Sequence, residues 1–200
     1  MCGKPLIRWT TEAVDKSLLD YAVVSTDDER MANGYPWVYR PPELAQDYTP
    51  MLPVIQHAVR DFELPFAPKV DAVMILQPTS PLRTRADINR AIELFKASDC
   101  DSLVSVTEGI HPIKSYVNGK PFLPQEPYDK HKHQCLTRNG AIFITRRDLL
   151  DSGRIIGDNP LFYVMPKERS IDIDDFSDLY ICECILKNRA LRGCYENKNM

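Results

Sequence analysis

The chain of 200 residues is long enough for one domain with a sizeable core, since 44% of its residues are hydrophobic. A formal net charge of −3 provides no electrostatic basis for binding nucleic acid, and no apolar run approaches the roughly 20 residues that span a membrane. The first residues lack the apolar segment of a signal peptide. The six cysteines form no C-x-x-C pair, so the sequence predicts a cytoplasmic protein with reduced cysteines.

Helical and strand patterns alternate along the first half of the chain. Helices are predicted at 6–19, 52–62 and 86–95, with a short one after 25–28, and strands at 21–24, 37–39, 73–76 and 101–107. The apolar run at 73–76 does not alternate with polar residues, which suits a strand covered on both faces. The sequence therefore predicts a single α/β domain over residues 1–200, with a mainly parallel sheet flanked by helices.

The pattern changes after residue 107. Asn118-Gly119 is the strongest two-residue hairpin signal, and a polar, proline-containing stretch follows it. Together they predict an exposed arm at approximately 111–137. Strands are then predicted at 141–144 and 161–165 and a helix at 174–186, while the polar residues from 189 onward are predicted to fray.

A polar loop at 77–81, Q-P-T-S-P, ends the central predicted strand. Its two prolines fix the backbone, and the amide and two hydroxyl groups between them suit a polar ligand. In open α/β sheets, ligands bind just outside the carboxyl ends of the strands, so this loop is a candidate binding site. The alternative is a turn into the next helix with Thr84 as its N-cap, and the residues alone leave both interpretations open.

Two aspartates alternate with isoleucines at 171–174. In an extended chain this alternation places Asp172 and Asp174 on one face, where their charges repel unless something compensates them. Mg²⁺ does so, because it binds one or two carboxylates together with substrate phosphates. The alternative is helix N-capping by Asp174 or Asp175, and both interpretations can hold at once.

Two further polar features carry weaker signals. Arg138, before Asn139-Gly140, has a side chain that can pair with a carboxylate or phosphate through two hydrogen bonds. An isolated loop arginine is nevertheless more often a surface charge. Arg40 is followed by the polar residues Asp47 and Thr49. Taken alone, this pattern is weak evidence for a binding site.

Taken in order, these segments closely resemble the acylneuraminate cytidylyltransferases, the CMP-sialic acid synthetases. The matching strings are G-K-P-L-I at 3–7, S-T-D at 25–27, R-P-P-E-L-A at 40–45, Q-P-T-S-P-L-R at 77–83, D-S-L-V-S-V at 101–106, N-G-A at 139–141 and S-I-D-I-D at 170–174. The resemblance spans nearly the whole chain, and Q-P-T-S-P-L-R is its most specific part. It implies a Rossmann-like α/β domain with a protruding β-hairpin arm used in homodimerisation.

The reaction implied by this resemblance joins CTP to a nine-carbon 2-keto sugar acid, such as a sialic acid, and releases pyrophosphate. The anomeric hydroxyl of the sugar attacks the α-phosphate, while Mg²⁺ neutralises the phosphates. By resemblance, Asp172 and Asp174 are the catalytic metal ligands. The implied sugar-binding residues are Gln77, Thr79, Ser80, Arg138 and Asn139, and the implied nucleotide-binding residues are Arg40, Asp47 and Thr49.

The sequence departs from the family pattern at its start, where the family has a strand and a basic glycine-rich loop that cradles the triphosphate. From the sequence alone, we therefore expect weak CTP binding and slow turnover. The family has an arginine two residues before its Asn-Gly pair. In this chain that position is Thr137, and the arginine stands one place later, at Arg138. Two alternatives stay open: a related nucleotidyltransferase for a different sugar, and a non-catalytic dimerising subunit.

Overall fold

The computed structural model of the protein describes residues 1–32, 34–63, 69–108 and 136–196, with side chains up to residue 189, and the backbone at 116–117 and 120–121. The helices in these ranges are α1 (Leu6–Val14), α2 (Glu29–Ala32), α3 (Met51–Phe62), α4 (Arg85–Lys96), α5 (Arg147–Asp151) and α6 (Phe176–Glu196). The strands are β1 (Val24–Thr26), β2 (Trp37–Tyr39), β3 (Ala72–Ile75), β4 (Ser102–Glu108), β5 (Tyr116–Val117), β6 (Lys120–Pro121), β7 (Leu136–Arg146) and β8 (Pro160–Val164).

Four strands form the main sheet in the order β3-β7-β4-β8. β4 and β8 are parallel, whereas β7 is antiparallel to both of its neighbours, β3 and β4. Three strands therefore run in one direction and β7 opposes them. β1 and β2 form a separate parallel pair. The predicted α/β fold is confirmed, with a mixed main sheet because β7 enters it from the opposite end.

Helices cover both faces of the main sheet, and the alternating side chains of β3 show how. Met74 packs with Ala91 of α4 and the buried residues of β4 and β7. Val73 and Ile75 pack instead against buried residues of α3 and α5. The predicted coverage of this strand on both faces is confirmed, although its side chains are only half-buried.

Several boundaries differ from the prediction. α1 ends at Val14 instead of 19, because the backbone leaves the helix at Asp15 and Lys16 takes a φ of 60°. β1 starts at Val24, about three residues later than predicted. β7 is longer than 141–144 because its first residues also pair with β4. α6 continues to Glu196, where a frayed tail was predicted; the leucine, arginine and glutamate residues of this end favour helix.

The predicted hairpin is confirmed by its two strands. β5 and β6 pair antiparallel on either side of Asn118-Gly119. The remainder of the predicted arm at 111–137 lies outside the described residues as far as Cys135, and its role in dimerisation stays a prediction. Within the described ranges, no helix has the length and apolar composition needed to cross a membrane.

Candidate active site

The strand directions bring three polar segments to one edge of the main sheet. β3 ends just before Gln77. Because β7 is antiparallel to β3, its first half lies at the same edge, with Phe143 opposite Ile75. Gln77 and Asn139-Gly140 are therefore neighbours although they are far apart in sequence. This edge is the one formed by the carboxyl ends of the three same-direction strands, as expected for a binding site.

A break in the β4–β7 ladder shapes this edge. The four residues 139–142 face the single residue Ser105, which makes an enlarged bulge in β7. The Ser105 hydroxyl donates to Asn139 Oδ1 at 2.6 Å and accepts from the Ile142 N–H at 2.7 Å. A buried serine side chain thus supplies hydrogen bonds that the interrupted ladder lacks. The sequence gives no signal for this, because Ser105 looks like any residue of an S-L-V-S-V strand.

Gly140 lies at the centre of the bulge with a φ of +71°. A Cβ at this position would lie 2.7 Å from Asp172 Oδ2 and 3.0 Å from Gln77 Oε1. The Asp172 carboxylate and the Gln77 amide therefore lie together above this glycine. Only glycine provides both the left-handed backbone and the space for this close approach.

Asp172 has a buried carboxylate oxygen at this edge. No described residue donates a hydrogen bond to this oxygen, Oδ1. A buried carboxylate oxygen without a donor is costly, and a bound cation relieves that cost. The described ranges contain no group of three or more Asp, Glu, His or Cys side chains that could hold a metal. The site thus fits a cation that takes one or two protein carboxylates and completes its shell with phosphate oxygens and water, as Mg²⁺ does.

The segment 171–174 is held by the loop beside it and is not part of a strand. It follows a single 3₁₀ turn, Lys167–Arg169. Its Ile173 N–H donates to the carbonyl of Thr79 at 2.8 Å, which ties the two predicted site segments together. The segment therefore has this loop for a partner instead of a neighbouring strand, and the placement of Asp172 and Asp174 on one face stays a prediction. Asp172 is half-buried, whereas Asp174 is exposed.

The predicted helix cap is confirmed for Asp175. Its Oδ1 accepts from the N–H groups of Ser177 at 2.7 Å and Asp178 at 3.1 Å. Asp178 Oδ2 accepts in return from the N–H groups of Asp174 and Asp175. The start of α6 is satisfied without the Asp174 carboxylate, which leaves that side chain available to a ligand.

Arg83 holds in place the polar loop at 77–81, called the Gln77 loop from here on. It is 3% exposed, and its Nη1 donates to the carbonyls of Gln77 at 3.3 Å and Ala141 at 2.5 Å. Its Nη2 donates to Thr10 Oγ1 at 2.9 Å, which connects the loop to α1. Burial lowers the pKa of Arg83 to about 10, so the guanidinium stays charged at neutral pH. Arg83 carried no signal in the sequence beyond its place at the end of Q-P-T-S-P-L-R.

The Gln77 loop is also a tight turn that leads into α4. The Ser80 N–H donates to the Gln77 carbonyl at 3.3 Å, and Thr84 caps α4 by accepting from the Asp87 N–H at 3.3 Å. The predicted cap at Thr84 is therefore confirmed. Ser80 Oγ is buried, and no described residue is its hydrogen-bond partner. The role of this loop in sugar binding stays a prediction.

The predicted residues on β7 differ in exposure. Arg138 is exposed, two residues before Gly140. Asn139 is buried, and its amide is used within the protein: Nδ2 donates to Ser170 Oγ at 2.9 Å, while Oδ1 accepts from Ser105. Among the described residues the Arg138 side chain has no hydrogen-bond partner, whereas Asn139 connects β4, β7 and the segment that carries Asp172.

The predicted nucleotide-binding residues follow β2, a strand of the separate β1–β2 pair. Arg40 is half-buried, and its guanidinium donates to Ser25 Oγ at 3.2 Å and to the Ser25 carbonyl at 2.6 Å. Asp47 is exposed and Thr49 is half-buried. Among the described residues, none of these three shares a hydrogen bond with the Gln77 loop. Their contact with nucleotide stays a prediction.

A partly buried ion pair joins the half-buried Arg169 to Asp87, which is 1% exposed. Arg169 donates to both of its oxygens, from Nε at 3.0 Å and Nη2 at 2.9 Å, and the Tyr163 hydroxyl donates at 2.9 Å. Thr84 adds two bonds, from its N–H at 2.9 Å and its hydroxyl at 2.6 Å. Burial raises the pKa of Asp87, but the bonds from Arg169, Thr84 and Tyr163 outweigh it and hold the pKa below the ordinary value of 3.8.

This depressed pKa predicts a specific acid sensitivity. The stabilisation from ionised Asp87 is fully present above pH 3.8 and is lost as pH falls through the lower folded-state pKa. We therefore expect Asp87→Asn to lower the free energy of unfolding at pH 7, with the difference from the unmodified protein shrinking below pH 3.8. Urea unfolding at pH 7 and at acidic pH tests this. A difference that stays constant across that range would contradict it.

Comparisons with known proteins agree with the geometry. Residues 1–182 match the family model described as cytidylyltransferase. N-acylneuraminate cytidylyltransferase of Escherichia coli is 32% identical over 98% of this chain and 50% of its own length. Post-translational flagellin modification protein B of Campylobacter coli is 28% identical over 91% and 83%, and N-acylneuraminate cytidylyltransferase A of Danio rerio is 28% identical over 100% and 48%. The chain thus spans about half the length of the E. coli and Danio rerio relatives.

Solved structures share the fold. A CMP:2-keto-3-deoxy-manno-octonic acid synthetase complexed with CTP superposes with a TM-score of 0.61 and 16% identity, covering 96% of this chain and 89% of its own. A 4-diphosphocytidyl-2C-methyl-D-erythritol synthase from Anaerococcus prevotii gives 0.67 and 10%, covering 92% and 87%. At these identities the likeness establishes the fold alone. The family match, over most of the chain, establishes more: the chain belongs to the cytidylyltransferase family.

Proposed function

We propose that the protein transfers CMP from CTP to a sialic-acid-like nine-carbon 2-keto sugar acid and releases pyrophosphate. The observation that carries this proposal is the buried Asp172 Oδ1, to which no described residue donates, in a carboxylate that lies with Gln77 beside Gly140 at the carboxyl edge of the sheet. Relatives named N-acylneuraminate cytidylyltransferases support the choice of sugar acid.

The metal-binding role falls to Asp172 and Asp174. Asp172 presents an oxygen that lacks a donor, and Asp174 presents an exposed carboxylate that the helix cap does not use. Together they would hold Mg²⁺, which when bound supplies positive charge to the triphosphate. Two carboxylates leave most of the coordination shell to substrate oxygens.

The sugar-binding role falls to the Gln77 loop and Arg138. The Gln77 amide offers a donor and an acceptor to sugar hydroxyl groups, and it lies beside Asp172. Arg138 is exposed and can bind the sugar carboxylate through two parallel hydrogen bonds. Because Arg83 and the prolines hold the loop rigidly, the attacking hydroxyl can be oriented at little entropic cost.

The test is to incubate the protein with CTP, MgCl₂ and N-acetylneuraminate, and to measure pyrophosphate release and the CMP-sugar by chromatography. We expect both products with CTP and far less of either with ATP. Deaminated and legionaminic analogues, and an eight-carbon 2-keto acid, distinguish sugar classes in the same assay. Failure of every nine-carbon acid to give a CMP-sugar would contradict the proposal.

We also propose that the protein forms a homodimer through the β5–β6 hairpin. Isolated two-stranded hairpins are marginal in water, so a partner surface is expected to stabilise this one. Light scattering at micromolar concentration is expected to give about twice the chain mass of 22.9 kDa. The mass of a single chain under those conditions would contradict this assembly.

A further inference from the structure

We propose that Asp87 is a positioning residue for Asp172: through Arg169, it holds the segment 170–174 against the Gln77 loop. The inference rests on the proposed function, because it assigns Asp172 the metal-binding role. It is carried by the ion pair of Asp87 with Arg169 and by the hydrogen bonds that the following residues Ser170 and Ile173 make at the site.

The hydrogen bonds of Asp87 exceed what helix capping requires. As the third residue of α4, it satisfies the capping box through the Thr84 N–H alone. The corresponding residue of α6, Asp178, caps its helix and has no ion pair with any other residue in the described ranges. Asp87 in addition accepts from Arg169 and Tyr163, more than 70 residues away in sequence. Burying a carboxylate is costly, and this pairing compensates for the cost while fixing where Arg169 lies.

Arg169 is the first of three successive anchors. It ends the 3₁₀ turn, and its neighbour Ser170 accepts from Asn139 Nδ2 and donates to the Pro166 carbonyl at 2.8 Å. Three residues further on, the Ile173 N–H is bound to the Thr79 carbonyl. Asp172 lies between these anchors, so its position depends on attachments on both sides.

These attachments oppose two effects that favour moving Asp172 toward water. Asp172 has an oxygen to which no described residue donates, and Asp174 adds a second negative charge two residues away. Both the missing hydrogen bond and the repulsion favour rotation of the segment toward water. A displacement of about 1 Å is enough to cost a catalytic site roughly 100-fold in rate.

The test compares Asp87→Asn with Glu63→Gln in the full chain. Glu63→Gln breaks another partly buried ion pair, with Arg147, at the end of α3 and away from the site. Amide hydrogen exchange at Ile173 is the main readout, because it reports the anchored segment without requiring activity. In Asp87→Asn we expect it to be about tenfold faster or more, with weaker Mn²⁺ binding and a lower kcat at an unchanged sugar KM. In Glu63→Gln we expect none of these changes.

Arg169→Lys provides a second variant in case Asp87→Asn does not fold. It keeps the charge but loses the paired hydrogen bonds, so we expect an exchange rate at Ile173 between those of Asp87→Asn and the unmodified protein. Exchange at Ile173 that rises no more than in Glu63→Gln, in the variant that folds, would overturn the inference. Absence of CMP-sugar synthesis in the unmodified protein would count against the proposed function instead, and the exchange comparison would still decide the positioning role.

Discussion

Replacing Asp174 with asparagine is expected to lower turnover by about 100-fold or more while leaving stability almost unchanged. The side chain is exposed and takes no part in the cap of α6, so its loss removes no hydrogen bond to any described residue. What it removes is one of two negative charges available to a cation. Turnover at saturating CTP and Mg²⁺, together with urea unfolding, measures the two effects separately.

Asp175→Asn is the matched control, because it removes the same charge one residue further along. Because asparagine caps a helix about as well as aspartate, it keeps the cap of α6 and should cost only about 0.3–1 kcal/mol, from the lost charge at the helix N-terminus. Its turnover should stay close to that of the unmodified protein. The metal-binding role of Asp174 would be excluded if Asp174→Asn retained ordinary turnover.

Gly140→Ala is expected to damage both the site and the fold. The new methyl group would lie 2.7 Å from Asp172 Oδ2 and 3.0 Å from Gln77 Oε1, so both side chains must move. The left-handed backbone adds roughly 1–2 kcal/mol of strain. Because displaced reacting groups lose about 100-fold in rate per ångström, we expect turnover to fall by that factor or more.

Gly153→Ala separates the two causes. Gly153 also has a left-handed backbone, with a φ of +88°, but nothing lies within 4 Å of its added Cβ. This variant should therefore share the strain and keep its turnover. If Gly140→Ala lost no more turnover than Gly153→Ala, the crowding of Asp172 and Gln77 would be excluded as a cause of lower turnover.

Local sequence predicted the features of the site that depend on short segments. The prolines and polar groups of 77–81 predicted a rigid polar loop after a strand, and Thr84 was recognisable as a helix cap. The pair Asp172 and Asp174 was recognisable as a source of concentrated negative charge. Each of these depends on neighbours in sequence, which is what periodicity and capping rules describe.

The supporting residues escaped prediction because their partners are remote in sequence. Ser105 fills a ladder break that arises only when β7 pairs with β4, and Asp87 meets Arg169 only in the folded chain. Arg83 is a charged residue whose burial depends on contacts with α1 and β7. The alternation at 171–174 did not identify its partner for the same reason, since that partner is a loop remote in sequence.

The position of β7 has a consequence for how the protein is made. This strand pairs with both β3 and β4, yet it ends only at Arg146. During synthesis from the N-terminus, β3 and β4 therefore emerge long before the strand that joins them, and their edges remain unpaired in the meantime. Assembly that depends on such distant pairing is expected to be slower than that of a helical bundle. The nascent chain is then most prone to aggregation between the emergence of β4 and the completion of β7.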